Sequence, residues 1–168
     1  MIEQGTLYFF TGLAGAGKTT LGGLFYQHLK LKKPDAVLLD GDMMRAASGH
    51  KDYSTRSRLE GARGLFKRCQ DMTDQGLDVV CCSISMYDEI RDWNRANIKN
   101  YREIYVKVTM ETLYHRDQKG LYSSGEKNVV GVDLPYDEPK CPDIVIENEG
   151  HETPEEIVRQ IEEAFGLI

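Results

Sequence analysis

Residues 12–19 read Gly12-Leu13-Ala14-Gly15-Ala16-Gly17-Lys18-Thr19, a complete GxxxxGK(S/T) pattern between the apolar run Leu7 to Phe10 and a helical pattern opening at Gly17. In that context the glycines let the backbone wrap so that successive N–H groups converge on phosphate oxygens. The helix N-terminus adds its partial positive charge. Lys18 can then reach the β- and γ-phosphates of ATP, and Thr19 can ligate Mg²⁺. The residues expected to hold the nucleotide are therefore Gly12, Gly15, Ala16, Gly17, Lys18, Thr19 and Thr20. A Gly-rich turn with a chance Lys-Thr pair is the bland alternative, and the strand before and helix after argue against it. Lys18 is expected to face solvent, contributing charge rather than packing.

The rest of the chain alternates short β-rich runs with longer helical patterns, the signature of a parallel sheet wrapped by helices. Strands are expected at Thr6 to Thr11, Val37 to Asp40, Val79 to Ile84, Glu103 to Val108 and Asp143 to Glu147. Helices are expected from Gly17 to about Lys33, Ser57 to Gln75, Tyr87 to about Lys99, Thr112 to Asp117 and Thr153 to about Phe165. Thr153, Pro154 and Glu156 form a capping box at the start of the last one. The fold class is thus α/β, a P-loop NTPase with a parallel five-stranded sheet. With 168 residues the chain fits one domain over 1–168, and the Gly-, Pro- and charge-rich segment 118–142 reads as a short lid.

With 21 basic and 27 acidic residues the chain carries a net charge of −6, which argues against a general nucleic-acid surface and against a polybasic membrane anchor. Leu7 to Phe10 is too short for a signal peptide or a membrane span, so a cytoplasmic protein is expected. Cys69, Cys81, Cys82 and Cys141 show no metal-ligand spacing and read as free thiols, with adjacent Cys81 and Cys82 on opposite faces of a strand.

No NKxD motif for guanine is present, and the third strand runs into Ile84-Ser85 rather than a carboxylate, so the usual Walker-B aspartate is missing. Carboxylates appear instead at Asp40 and Asp42, at the carboxyl end of the second strand where open α/β sheets bind ligands. Asp42 can orient an attacking hydroxyl, and Asp40 can hold Mg²⁺ through water. An Asp-Gly turn closing a strand is the simpler reading of the same residues. Residues 45–68 then carry seven basic and two acidic residues, a net +5 that implies an anionic substrate. Arg45 and Arg58 are the expected anion ligands, whereas Arg63, Lys67 and Arg68 read as a solvated helix face.

These motifs together resemble the adenylyl-sulfate kinase family. The resemblance is carried by the Gly12 to Thr19 loop, Leu39-Asp40-Gly41-Asp42 with Arg45, Tyr53-Ser54 with Arg58, Ile84-Ser85, Arg116-Asp117 with Lys119-Gly120-Leu121-Tyr122, and Gly131-Val132-Asp133 with Pro135-Tyr136. It implies a nucleoside-monophosphate-kinase-like fold, a homodimer, and transfer of the ATP γ-phosphoryl to the ribose 3′-hydroxyl of adenylyl sulfate. It further implies that Lys18, Asp40 and Asp42 serve catalysis and that Arg116 helps hold ATP. The acceptor would be bound by Asp42, Arg45, Tyr53, Arg58, Ile84, Ser85, Lys127, Val129 and Gly131. Ser85 looks like the family's phosphorylatable serine, but no His or Lys base adjoins it, so a positioning role is expected.

The chain also departs from the family pattern. Ser57-Arg58 and Gly61 stand where the family has Asp-Arg and Asn, Tyr53 and Val129 stand at the positions of two base-stacking phenylalanines, and Met86 replaces a proline. The stretch between Tyr122 and Gly131 is shorter than usual. These changes look like those of relatives that phosphorylate a cytidine diphosphoramidate in capsular polysaccharide synthesis, which is the alternative acceptor. A regulatory nucleotide-binding module is the non-enzyme alternative, and a second anionic pocket is not what mere nucleotide sensing needs.

Overall fold

Continuous apolar strands form where a parallel sheet is covered on both faces, and this chain supplies them. The computed structural model describes residues 2–41, 44, 54–117, 120, 122, 129–132 and 134–168. Its strands are β1 (Thr6–Thr11), β2 (Val37–Asp40), β3 (Val79–Cys82), β4 (Asn100–Lys107) and β5 (Ile144–Glu147), all parallel in the order β2-β3-β1-β4-β5. The helices described are α1 (Lys18–Lys32), α2 (Thr55–Asp74), α3 (Asp88–Asn97), α4 (Met110–Arg116) and α5 (Pro154–Ala164). None of them is long and apolar enough to cross a membrane.

Alternation along β1 sends Leu7 and Phe9 to one face and Tyr8 and Phe10 to the other. Leu7 and Phe9 pack with Ala62, Leu65 and Phe66 of α2 and Ile90 of α3. Tyr8 and Phe10 pack with Leu21, Phe25 and Leu29 of α1 and Ile157 and Ile161 of α5. Cys81 and Cys82 divide between these two clusters as their spacing predicts, and all four cysteines are free thiols.

Several boundaries differ from expectation. β3 ends at Cys82 rather than Ile84, because after the Ser83 N–H bonds to the Phe10 carbonyl the chain turns out of the sheet, reaching a positive φ of 36° at Ser85. β4 starts at Asn100, three residues early, behind a polar disguise: Asn100 bonds to the Gln4 carbonyl and Arg102 lies over the Phe165 ring. α2 and α4 start before Ser57 and Thr112, because Ser54 and Thr109 act as N-caps for the N–H groups of those residues. β5 excludes Asp143, whose carboxylate instead accepts the Glu103 N–H at 2.7 Å. α5 has the expected capping box, with the Glu156 N–H donating to Thr153 Oγ1 at 3.2 Å.

Two contacts set where the loops at the sheet's carboxyl end sit. α1 approaches the sheet through Gly22, where a Cβ would lie 2.2 Å from Cys82 Sγ. Farther along, Arg91 of α3, only 4% exposed, donates to Asp88 Oδ1 at 2.8 Å and to the Asp137 carbonyl at 2.6 Å. Lys140 meets Asp88 Oδ2 at 2.9 Å, and the Asp137 N–H bonds to the Met86 carbonyl at 2.7 Å. The latter part of the expected lid is thereby fastened to the start of α3.

The first contact predicts that Gly22→Ala destabilises the fold by about 1–3 kcal/mol through overpacking. Urea unfolding of the single variant and of Gly22→Ala with Cys82→Ala measures it, the second substitution restoring part of the loss. The second contact has a pH signature. Hydrogen bonds from Lys140 and Arg91 hold the Asp88 carboxyl below its ordinary range. Its contribution is therefore complete above the unfolded value of about 3.9 and disappears as pH falls through the lowered folded value. Stability of Asp88→Asn should accordingly fall less steeply than wild type over that acid range.

Candidate active site

The loop between β1 and α1 is held from outside by three side chains. The Tyr122 hydroxyl donates to the Ala14 carbonyl, Arg116 to the Gly15 carbonyl at 3.5 Å, and Asn148 Nδ2 to the Ala16 carbonyl at 2.9 Å. Because a trans peptide points its C=O and N–H in opposite directions, this turns the N–H groups of Gly15 and Gly17 the other way. Gly15 and Gly17 have φ of +83° and +105°, a left-handed backbone that suits glycine. Gly12 is pressed against β4, where a Cβ would come within 2.4 Å of the Val106 carbonyl.

Arg116 also donates to the Asn148 carbonyl at 2.6 Å, so the two clamps brace each other. Burial pushes the Tyr122 phenol up to about 12, so this donor stays protonated well into the alkaline range. Asn148 carries no motif, and sequence reasoning missed it.

At the mouth of the loop, Thr19 Oγ1 donates to Asp40 Oδ2 at 3.0 Å, and Thr20 is exposed in the first turn of α1. Lys18 corrects an expectation. It is 5% exposed rather than solvent-facing, with Nζ donating to the Leu13 carbonyl at 3.0 Å, because the loop wraps around its stem.

The arrangement fits a bound Mg·nucleotide. α1 has no acidic residue in its first turn and Gly17 makes no side-chain cap bond, leaving the helix N-terminus suited to an anion. Among the described residues no group of three His, Cys, Asp or Glu could cage a metal. A Mg²⁺ ion at the Thr19–Asp40 pair would therefore complete its shell with phosphate oxygens and water, as this cation commonly does.

A cavity of ≈ 380 Å³ opens beside the loop, between α2, the chain leaving β3, and Val130. Its lining includes Gly41, the residue after Asp40, so the two halves of the site meet at the end of β2. Arg58, Ile84 and Ser85 also line it, as does Arg68, which is exposed as expected of the solvated helix face but stands at the cavity as well. Ser83 Oγ and Ser85 Oγ are 2.7 Å apart on its floor, and a Cβ at Gly41 would come within 2.8 Å of Ser83 Oγ. Ser83 thus supports both the strained Ser85 backbone and the turn after Asp40, a role invisible in the motif.

Val130, not Val129, forms the wall. Both valines are buried in a cluster with Leu13, Met86, Tyr105, Leu113 and Tyr122, but of the two only Val130 lines the cavity, and Gly131, at φ +88°, closes the turn by bonding to the Leu134 carbonyl at 3.0 Å. Asp42, Arg45, Tyr53 and Lys127 lie outside the described residues.

Residues 4–147 match the family model described as adenylylsulphate kinase. The cytidine diphosphoramidate kinase of Campylobacter jejuni is 42% identical over 165 residues, covering 96% of each chain. An adenylyl-sulfate kinase of Oceanobacillus iheyensis is 35% identical, covering 92% of this chain and 81% of that one. Among solved structures, the Mycobacterium tuberculosis APS kinase in complex with AMPPNP and APS superposes with a TM-score of 0.85 at 25% identity, covering 97% of this chain and 98% of that one. With a phosphate-binding loop, a hydroxyl–carboxylate pair and an adjoining cavity on this sheet, the chain belongs to the adenylylsulphate kinase family, phosphotransferases that use ATP with Mg²⁺ and an alcohol group as acceptor.

Proposed function

We propose that the chain phosphorylates the ribose 3′-hydroxyl of a small nucleotide and that cytidine diphosphoramidate is this acceptor. The observation that carries the choice is the cavity wall: Val130 and the glycine face of α2 line it, and Tyr87 is its single aromatic among the described lining residues. The described part of the wall thus offers a purine one aromatic face, with an aliphatic side chain, Val130, where a second would stack. The higher identity to the C. jejuni enzyme, 42% against 35% for the O. iheyensis one, supports the same reading. Adenylyl sulfate is the second reading, favoured by the order of motifs along the whole chain. The pathway follows the acceptor, polysaccharide modification in the first case and sulfate assimilation in the second.

In this proposal Gly12 to Thr20 and Arg116 hold the triphosphate, Lys18 neutralises charge on it, and Thr19 and Asp40 hold the metal. Mg²⁺, when bound, screens the phosphate charge that would repel a nucleophile. Asp42 orients the acceptor hydroxyl, Arg45, Arg58 and Lys127 hold its anionic groups, and Tyr53 and the turn at Gly131 close over it. Ile84 and Ser85 form the floor, with Ser85 positioning the acceptor rather than carrying phosphoryl. Positioning and charge neutralisation suffice for in-line transfer. One domain over 1–168 with its lid at 118–142, acting in the cytoplasm as a homodimer, completes the reading. The packing of α5 back onto α1 supports the single unit.

Two measurements test this. Comparison of kcat/KM for cytidine diphosphoramidate and adenylyl sulfate should favour the cytidine compound. The reverse order hands the assignment to adenylyl sulfate, and transfer to neither refutes the nucleotide reading. Asp40→Asn should raise the Mg²⁺ concentration needed for half-maximal activity while nucleotide affinity measured by calorimetry changes little. An unaltered Mg²⁺ requirement would remove Asp40 from the metal site.

A further inference from the structure

α2 carries five basic side chains, and most of them are already engaged. Arg56 pairs with Glu60 at 3.2 Å, Arg63 with Glu89 at 2.5 Å, and Lys67 with Gln70 at 2.8 Å and Asp71 at 3.5 Å. Arg58 has a partner as well. Arg68 differs: it is exposed, lines the cavity, and has no hydrogen bond or ion pair with any described residue. The residues one and two turns before it on the same face are Gly64 and Gly61, both also lining the cavity, and a Cβ at Gly64 would meet nothing within 4 Å. Space therefore leads along α2 to a guanidinium that no described residue neutralises.

Arg58 and Arg68, ten positions apart, are separated by roughly 15 Å of helix rise, and long side chains shorten that distance at their tips. This span suits a nucleotide with its charged group at one end and its base at the other. A guanidinium has only donors to offer. Cytosine presents N3 and O2 side by side, two adjacent acceptors that a planar fork can meet together. Adenine alternates instead, its N6 amino donor standing between the N1 and N7 acceptors, so the same fork finds one acceptor and one repelling donor on either edge.

We infer that Arg68 is a specificity-determining residue that reads the base of the acceptor, selecting a pyrimidine with adjacent N3 and O2 acceptors over adenine. The inference rests on the reading that this cavity binds the acceptor nucleotide. Glutamine at this position would offer one donor and one acceptor, the pairing adenine prefers.

The test uses the full chain and compares wild type, Arg68→Gln and Arg68→Ala. KM and kcat are measured for cytidine diphosphoramidate and adenylyl sulfate, together with KM for ATP and calorimetric binding of the cytidine compound with AMPPNP present. Both variants should raise KM and weaken binding for the cytidine compound by about tenfold or more, the scale of one good bidentate pair. KM for ATP should not change, and Arg68→Gln should move the acceptor ratio toward the adenine compound. Melting temperatures should stay near wild type, since the side chain is exposed and unpaired. Equal losses for both acceptors would make Arg68 a general anion holder and overturn the inference, as would an unchanged ratio. If wild-type protein phosphorylates the cytidine compound but ignores these substitutions, this inference alone fails. If wild type neither binds nor phosphorylates it, the inference fails together with the proposed acceptor.

Discussion

Everything in the site depends on the outward pull on three successive carbonyls of the phosphate-binding loop. Tyr122, Arg116 and Asn148 come from the segment after α4, from α4 itself and from the end of β5, and each occupies one carbonyl. A loop rich in glycine has a large conformational freedom to lose, and external hydrogen bonds select one of its many shapes. Preorganised N–H groups then need no rearrangement when a charged group arrives, which is the condition for electrostatic stabilisation at a transition state. Lys18 is constrained in the same way, its ammonium bonded to the Leu13 carbonyl of the loop it serves.

The sheet order places these clamps. Because β1 lies between β3 and β4, the loop leaving β1 sits between the chain leaving β3 and the segments following β4 and β5. The hydroxyl of Thr11, the last residue of β1, donates to the Ile84 carbonyl beyond β3, tying the phosphate loop's base to the cavity floor. The Asn148 N–H continues the ladder by bonding to the Lys107 carbonyl at 3.0 Å, so its side chain is delivered to the loop by β-sheet register.

Charge is distributed unevenly to match. The acidic excess of the whole chain coexists with a basic α2, and its exposed pairs are worth little to stability because solvent screens them. An arginine that lacks such a partner costs the fold little and leaves its donors for a ligand. The opposite economy holds at Arg91, which is buried and tied to Asp88 and the Asp137 carbonyl, where it fastens structure.

What the sequence alone determined is what local chain chemistry encodes. The phosphate loop, the five strands, the capping box at Thr153 and the split of Cys81 from Cys82 all follow from spacing within a few residues. Strand starts hidden by polar residues, as at Asn100 and Arg102, escaped that logic because their partners, the Gln4 carbonyl and the Phe165 ring, lie far away in the chain. Tertiary structure alone decided that Asn148 meets a carbonyl 132 positions earlier, that Ser83 supports Ser85, that Val130 rather than Val129 lines the cavity, and that Arg68, exposed as its helix face predicts, stands at the cavity's edge. A periodic pattern says which face of an element is apolar, but only the order and register of the strands bring two distant elements to the same place.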